Sequence, residues 1–414
     1  MSKSGSGFTT RILHGDRHFG VEHGSLHKPV HSSVAYGYED AREIAAVFQG
    51  RQPGYSYGRQ SNPTVEALQA KITAMEEGVG TVAFATGMGA IGSLLLALMR
   101  QGDHMVSSSF LFGNTNSLFG TFDALGLAVD FVDATDAAAV EAALRPETRL
   151  VFVETIANPR TQIADLAGIG ALCRERGLLF VVDNTMTSPW LFRPREVGAG
   201  LVVNALTKYV AGQGAALGGA ITDTGCFDWS RYPNILEPYR AQPVEKWGLQ
   251  QIRKKGLRDL GATLGPEAAH QIALGAETLA LRLDRQCANA RALAAFLDGH
   301  GRVDRVYHPS LATHPQHARA ATLFRDFGAL LSFELDPAVD LFDFMNALEV
   351  VISSSNLGDT RTLAIPVAHT IYHEMGAERR ASMGIAESLV RLSIGIEDEA
   401  DLIGDFERAL ARFP

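Results

Sequence analysis

From Asn62 onward the apolar residues follow two alternating rhythms. Short runs rich in Val, Leu and Phe predict strands over 81–86, 104–108, 128–132, 149–154, 178–183, 201–205 and 217–222. Between them, apolar positions three and four apart predict helices over 88–100, 137–144 and 169–176. Strands that are apolar on both faces, alternating with helices, predict an α/β fold with a mostly parallel sheet of seven strands. Pro63-Thr64-Val65-Glu66 opens a further helix, since proline is tolerated and an acid favoured in a first turn. A long helical stretch begins at Pro266 and runs to about Leu297. Strands near 303–307, 329–335, 350–353 and 390–393 follow, closed by a helix over 399–412.

Two segments stand outside this rhythm. Residues 1–61 show weak periodicity and many His, Gly and Ser, which suits an arm lying on something else, such as a neighbouring subunit. Residues 228–250 are rich in aromatics, proline and charge, which predicts an ordered lid rather than a linker. The expected division is an arm over 1–61, a large domain over 62–265 carrying the extended lid 228–250, and a smaller α/β domain over 266–414.

Composition narrows the classes. The 414 residues are 46% hydrophobic and 20% charged with a net charge of −9, which argues against nucleic-acid or anionic-membrane partners. The start, Met1-Ser2-Lys3-Ser4-Gly5-Ser6-Gly7, has no apolar core of a signal peptide, and no run of about 18 apolar residues predicts a membrane span. Cys173, Cys226 and Cys287 are odd in number and lack metal-ligand spacing, so no metal site and a cytoplasmic location are expected.

Lys208 ends the apolar run that starts at Leu201. Burial there lowers an amine's pKa and frees its lone pair for a carbonyl, so Lys208 is a candidate Schiff-base former; a snorkelling lysine is the plain alternative. Gly87-Met88-Gly89-Ala90-Ile91-Gly92 matches GxGxxG between a strand and a helix. A dinucleotide site would need an acid after the next strand, and Ser107-Ser108-Ser109-Phe110 supplies none. A phosphate site at the helix start is the better reading, and an NAD-dependent dehydrogenase the remote one.

Asp183 closes the run Leu179-Phe180-Val181-Val182 at the edge where open α/β sheets bind ligands. It suits either a turn or a partner for a protonated pyridine nitrogen. Tyr57 and Arg59, in Tyr57-Gly58-Arg59, suit phosphate contacts. Arg391, inside the apolar strand Leu389–Ser393, needs a counter-ion: an internal acid or a substrate carboxylate. Amine, phosphate site, strand-end acid and buried arginine together match what pyridoxal 5′-phosphate (PLP) requires when it acts on an amino acid.

In order along nearly the whole chain, it resembles the Cys/Met-metabolism family of PLP enzymes. That family includes cystathionine γ-synthase, cystathionine lyases, methionine γ-lyase and acylhomoserine sulfhydrylases. The matching motifs include Tyr57-x-Arg59-x-x-Asn62-Pro63-Thr64, Thr86-Gly87-Met88, Phe112-Gly113-x-Thr115 and Glu154-Thr155-x-Ala157-Asn158-Pro159. They continue with Asp183-Asn184-Thr185, Thr207-Lys208-Tyr209, Asn356-Leu357-Gly358 and Leu389–Ser393.

The resemblance implies PLP fold type I, the aspartate-aminotransferase-like fold, with Lys208 holding the cofactor as a Schiff base. It implies Asp183 on the pyridine nitrogen, Asn158 by the ring's phenolic oxygen, and Gly87, Met88 and Thr207 on the phosphate. Tyr57 and Arg59 would reach that phosphate from a neighbouring subunit, in a tetramer of site-sharing dimers. Arg391 would bind the substrate α-carboxylate.

Four departures bear on the reaction. Phe112 stands where the family has a ring-stacking tyrosine, and Asn114 where methionine γ-lyases have cysteine. Ala205 and Asn356 replace serines, Asn356 near the substrate carboxylate. Without the phenol, an O-linked or O–N-linked γ-substituent, as in acylhomoserine or canavanine-like amino acids, fits better than a thioether. The expected reaction is γ-elimination; γ-replacement by a sulfhydrylase or cystathionine γ-synthase is the alternative. Tyr232, Glu237, Glu245 and Trp247 of the lid could select a cationic or bulky side chain.

Overall fold

The computed structural model describes residues 6–413; Met1–Gly5 of the polar N-terminal stretch, and Pro414, lie outside them. Helix α1 (Pro63–Glu76) starts as its sequence dictates: the Asn62 side chain accepts from the N–H groups of Thr64 and Val65, with Pro63 in the first turn. It leads into β1 (Gly80–Phe84), α2 (Gly87–Leu98), β2 (His104–Ser108), α3 (Gly113–Ala124) and β3 (Ala128–Val132). Next come α4 (Ala137–Ala142), β4 (Thr148–Glu154), α5 (Leu166–Arg176), β5 (Leu179–Asp183), β6 (Leu201–Asn204) and β7 (Gly219–Asp223).

These strands form a seven-stranded sheet in the order β1-β7-β6-β5-β4-β2-β3. Every neighbouring pair is parallel except the two made by β7, which runs against both β1 and β6. The C-terminal ends of the other six strands therefore share one edge. The apolar faces are buried in two layers: Val106, Val151, Phe180 and Val182 on one side, and Met105, Phe152, Val181 and Val203 on the other.

The smaller domain starts with α6 (Pro266–Glu277) and α7 (Leu279–Asp298), and its sheet has β8 (Val303–Tyr307), β9 (Leu330–Leu335), β10 (Ile352–Ser353), β11 (Leu363–Pro366) and β12 (Leu389–Ser393). Their order is β10-β11-β12-β9-β8, and α8 (Glu399–Leu410) closes the chain. β11 was not expected. It is a four-residue run stopped by Pro366, too short to show a period of its own.

The 228–250 segment packs against the ends of α2 and β7. The Trp229 indole donates to Asp223 (2.7 Å), the Tyr232 hydroxyl to the Leu98 carbonyl (3.1 Å), and the Asn234 amide to Asp103 (2.7 Å). Those partners end α2 and the reversed strand β7 or precede β2, so the segment seals the edge opposite the strands' C-terminal ends. Tyr232 is buried there, and no residue of 228–250 lines the main cavity among the described residues. Of the segment's aromatics, Trp229 and Tyr232 are buried in the core, whereas Tyr239 and Trp247 are partly buried against it.

The arm is anchored at one end. Lys71, fully buried, pairs with Asp16 (3.2 Å) and Glu277 (2.7 Å). Further along, Val34 and Phe48 stand exposed.

Candidate active site

The main cavity, about 460 Å³, opens where the C-terminal ends of the parallel strands meet the smaller domain. Lys208 follows β6 in a tight turn, its N–H bonded to the Ala205 carbonyl (3.1 Å). Gly358 (φ +71°) packs on that turn so closely that a Cβ would come within 2.5 Å of the Tyr209 nitrogen, so only glycine fits. The Lys208 amine reaches the cavity and donates to Asn356 Oδ1 (3.0 Å). Burial, helped by the Arg391 guanidinium, brings its pKa down to about 8. A neutral, nucleophilic amine is thus accessible near physiological pH.

Glu154 and Asp183 sit side by side at the ends of β4 and β5. Burial raises the pKa of both, and the adjacent Asp183 charge pushes Glu154 further. Asp183 accepts the Thr185 N–H (2.9 Å) and Glu154 accepts the Phe112 N–H (2.7 Å), which holds Phe112 at the cavity wall. Two carboxylates so placed favour a cationic group beside them.

At the opposite wall, α2 begins at Thr86, whose side chain caps the Gly89 N–H (2.9 Å). The Gly87 and Met88 N–H groups face the first turn with no intrahelical acceptor. A Cβ on Gly87 would lie 2.8 Å from that of Ala205, so the backbone itself forms this wall. The Thr207 hydroxyl, nearby, already accepts from the Gly218 N–H (2.9 Å).

Arg391 is 1% exposed, and Nη2 donates to the carbonyls of Ser355 (3.1 Å) and Asn356 (3.2 Å). Its Nε has no partner, and no carboxylate pairs with it among the described residues. Burial lowers its pKa to about 10. The internal-acid alternative is therefore absent, which leaves a guanidinium facing an open cavity. Asn158 also lines the cavity, with a buried Oδ1 that has no partner.

The structure thus brings Gly87, Met88, Phe112, Asn114, Asn158, Asp183, Thr207, Lys208, Asn356 and Arg391 to one cavity. Tyr57 and Arg59 are not brought there within one chain: Tyr57 is 42% exposed, and Arg59 lies over its ring and donates to the Arg258 carbonyl (2.5 Å). Two polar lining residues, Glu154 and Tyr372, were given no role from sequence. Glu154 carries the same signal as Asp183, an acid ending an apolar run. Tyr372 follows the unexpected strand β11, and no local pattern marks it.

The family model for Cys/Met metabolism PLP-dependent enzymes matches residues 9–411. The chain belongs to this family. It is 37% identical to an L-methionine gamma-lyase of Pseudomonas putida, over 98% of this chain and 97% of that one. It is 34% identical to an O-acetyl-L-homoserine sulfhydrylase of Leptospira meyeri, over 97% and 96%. Among solved structures, cystathionine gamma synthase of Xanthomonas oryzae pv. oryzae superposes with a TM-score of 0.87 at 33% identity, covering 98% of each chain. A putative O-acetylhomoserine (thiol)-lyase of Campylobacter jejuni, solved with a pyridoxyl-lysine monophosphate group, gives 0.92 at 30% identity, covering 98% of this chain and 100% of that one.

This Cys/Met-metabolism enzyme accordingly has PLP fold type I and uses pyridoxal 5′-phosphate as a lyase or transferase. Its cavity fits the cofactor by chemistry: an amine of lowered pKa, paired carboxylates that favour a cation, a buried amide oxygen and a guanidinium Nε without partners, and a helix start free to take an anion. No helix among the described residues is long and apolar enough to cross a membrane.

Proposed function

We propose that the enzyme removes a heteroatom γ-substituent from an amino acid, as a γ-lyase. The observation that carries this reading is the Lys208–Arg391 pair, an amine of lowered pKa and a guanidinium with no carboxylate partner among the described residues, both facing one cavity. Arg391 takes the α-carboxylate, with Asn356 and Asn114 beside the substrate. Bound PLP supplies an electron sink for the negative charge that develops at Cα and Cβ. Lys208 would hold the cofactor through its amine; once the substrate's own amine has displaced it, it would take the Cα proton, pass that proton on to the cofactor's C4′, and so be free to take one from Cβ. Asp183 would pair with the pyridine nitrogen and Asn158 with the ring oxygen. Gly87, Met88 and Thr207 would hold the phosphate, and Phe112 would lie against the ring.

Phe112 has no proton to give, so the leaving group is one that needs little acid help: an O- or O–N-linked substituent before a thioether. γ-Replacement is the second reading, favoured by similarity to the sulfhydrylases. Tyr57 and Arg59, exposed on an arm whose Val34 and Phe48 are also exposed, fit a neighbouring subunit's phosphate site in a tetramer of site-sharing dimers. A cytoplasmic location, and the division into arm 1–61, large domain 62–265 and smaller domain 266–414, complete the reading.

A panel of O-acylhomoserines, canavanine, methionine and cysteine, with and without added sulfide, tests it. Ammonia and 2-oxobutanoate formed without a thiol are expected. Strict dependence on sulfide would shift the assignment to replacement, and products of β-elimination alone would overturn it.

A further inference from the structure

The loop 157–161, which carries Asn158 after β4, is bound chiefly by the other domain. The Tyr372 hydroxyl donates to the Asn158 carbonyl (3.3 Å), and the Ser332 hydroxyl to the Pro159 carbonyl (2.7 Å). Arg160 donates to the Met383 carbonyl (3.2 Å) and the Tyr307 hydroxyl (3.4 Å), and the Thr161 hydroxyl meets His314 Nε2 (3.3 Å). All five partners belong to the smaller domain.

Two of those partners stand next to the substrate side of the cavity. Ser332 is the register partner of Arg391 across β9 and β12. Tyr372 is 3% exposed, is the one tyrosine lining the cavity among the described residues, and lies in electrostatic reach of Arg391 and Glu154. Meanwhile the Asn158 Oδ1 is buried and has no hydrogen-bond partner among the described residues. Its placement is thus inherited from the backbone that Tyr372 and Ser332 grip.

We propose that Tyr372 and Ser332 are positioning residues that clamp the 158–159 backbone and so set how Asn158 meets the cofactor ring. The inference rests on the reading of Asn158 given above. A carbonyl held by a buried hydroxyl cannot drift without leaving both groups unsatisfied, so the clamp is stiff. Because Ser332 and Arg391 are cross-strand neighbours, the arginine assigned to the substrate carboxylate and the amide assigned to the ring share one support.

The test is the pH titration of the visible cofactor band in the holoenzyme, which reads proton affinity at the lysine–cofactor linkage and not turnover. Asn158→Ala should move the midpoint. Tyr372→Phe keeps the ring and removes only the donor; it should move the midpoint the same way by about half a pH unit, roughly threefold in proton affinity. Ser332→Ala should act alike. In an Asn158→Ala background, Tyr372→Phe should add nothing, because its effect runs through the missing amide.

A shift of equal size in both backgrounds would overturn the clamp and make Tyr372 an independent actor. A Tyr372→Phe holoenzyme that titrates like the wild type would overturn it as well. An Asn158→Ala midpoint equal to wild type would overturn the placement of Asn158 itself, and the clamp with it.

Discussion

The two edges of the seven-stranded sheet handle buried polar groups in opposite ways. At the edge closed by residues 228–250, each acid is satisfied. Asp103 accepts from Arg149, Asn234 and the Arg100 N–H, and Asp223 accepts from Trp229 and the Gly225 N–H. At the cavity edge, Asp183 and Glu154 press like charges together, Asn158 Oδ1 and Arg391 Nε have no partner, and Lys208 is held partly deprotonated. Buried polar groups that are paired describe a scaffold; buried polar groups left open describe a place for something else. Aromatic richness alone does not separate the two, since Trp229 and Tyr232 are satisfied core residues.

Substitutions at the two edges should differ in kind. Lys208→Ala is expected to give the largest effect: loss of the visible cofactor band and a fall in turnover on the order of 1000-fold, measured by absorbance and product assay. A retained lysine-linked cofactor would break the contrast. Asp103→Ala should cost about 3 kcal/mol, because it strands buried donors, while kcat stays near wild type. Asp183→Asn should do the reverse: turnover falls, yet cofactor-free protein unfolds at a higher temperature because the repulsion with Glu154 is gone. Paired thermal melts and kinetics decide this.

Glu76, fully buried, packs under the C-terminal ends of β5 and β6, and its Oε1 accepts from Asn184 (3.1 Å) and Asn204 (2.7 Å). Burial pushes its pKa from 4.5 up to about 7 against those bonds. The folded state thus binds this proton more tightly than the unfolded chain. The associated stability is full below about pH 4.5 and is lost as pH rises through about 7. Glu76→Gln should remove that slope and gain about 3 kcal/mol at pH 8 relative to wild type, read from denaturation across pH. Smallest of all, Glu245→Ala should leave kcat within about twofold and stability within about 0.5 kcal/mol. A large loss there would return the 228–250 segment to a catalytic surface.

Much of this was legible in sequence because the physics is local. An apolar run that ends in Lys208 or Asp183 announces a polar group at a sheet's edge, and Thr86-Gly87-Met88 announces a helix start open to an anion. The strand positions of the large domain agree to within two residues for the same reason. What was not legible depends on partners far along the chain. Tyr372 matters through Asn158, 214 residues away, and the short strand β11 that sets it in place has no period to read. Tyr232 is core only because Leu98 and Met99 happen to lie beneath it.

The adjacency of Glu154 and Asp183 also has a calorimetric side. With both carboxyls raised, the pair retains protons at pH values where isolated acids would be bare. If the cofactor binds as proposed, with its ring nitrogen beside Asp183, a ring nitrogen that arrives as a cation would favour the carboxylate and send that proton to the solvent. Loading of the cofactor should then also be an acid-releasing event. Its measured heat should change with the ionisation enthalpy of the buffer, even where the affinity does not.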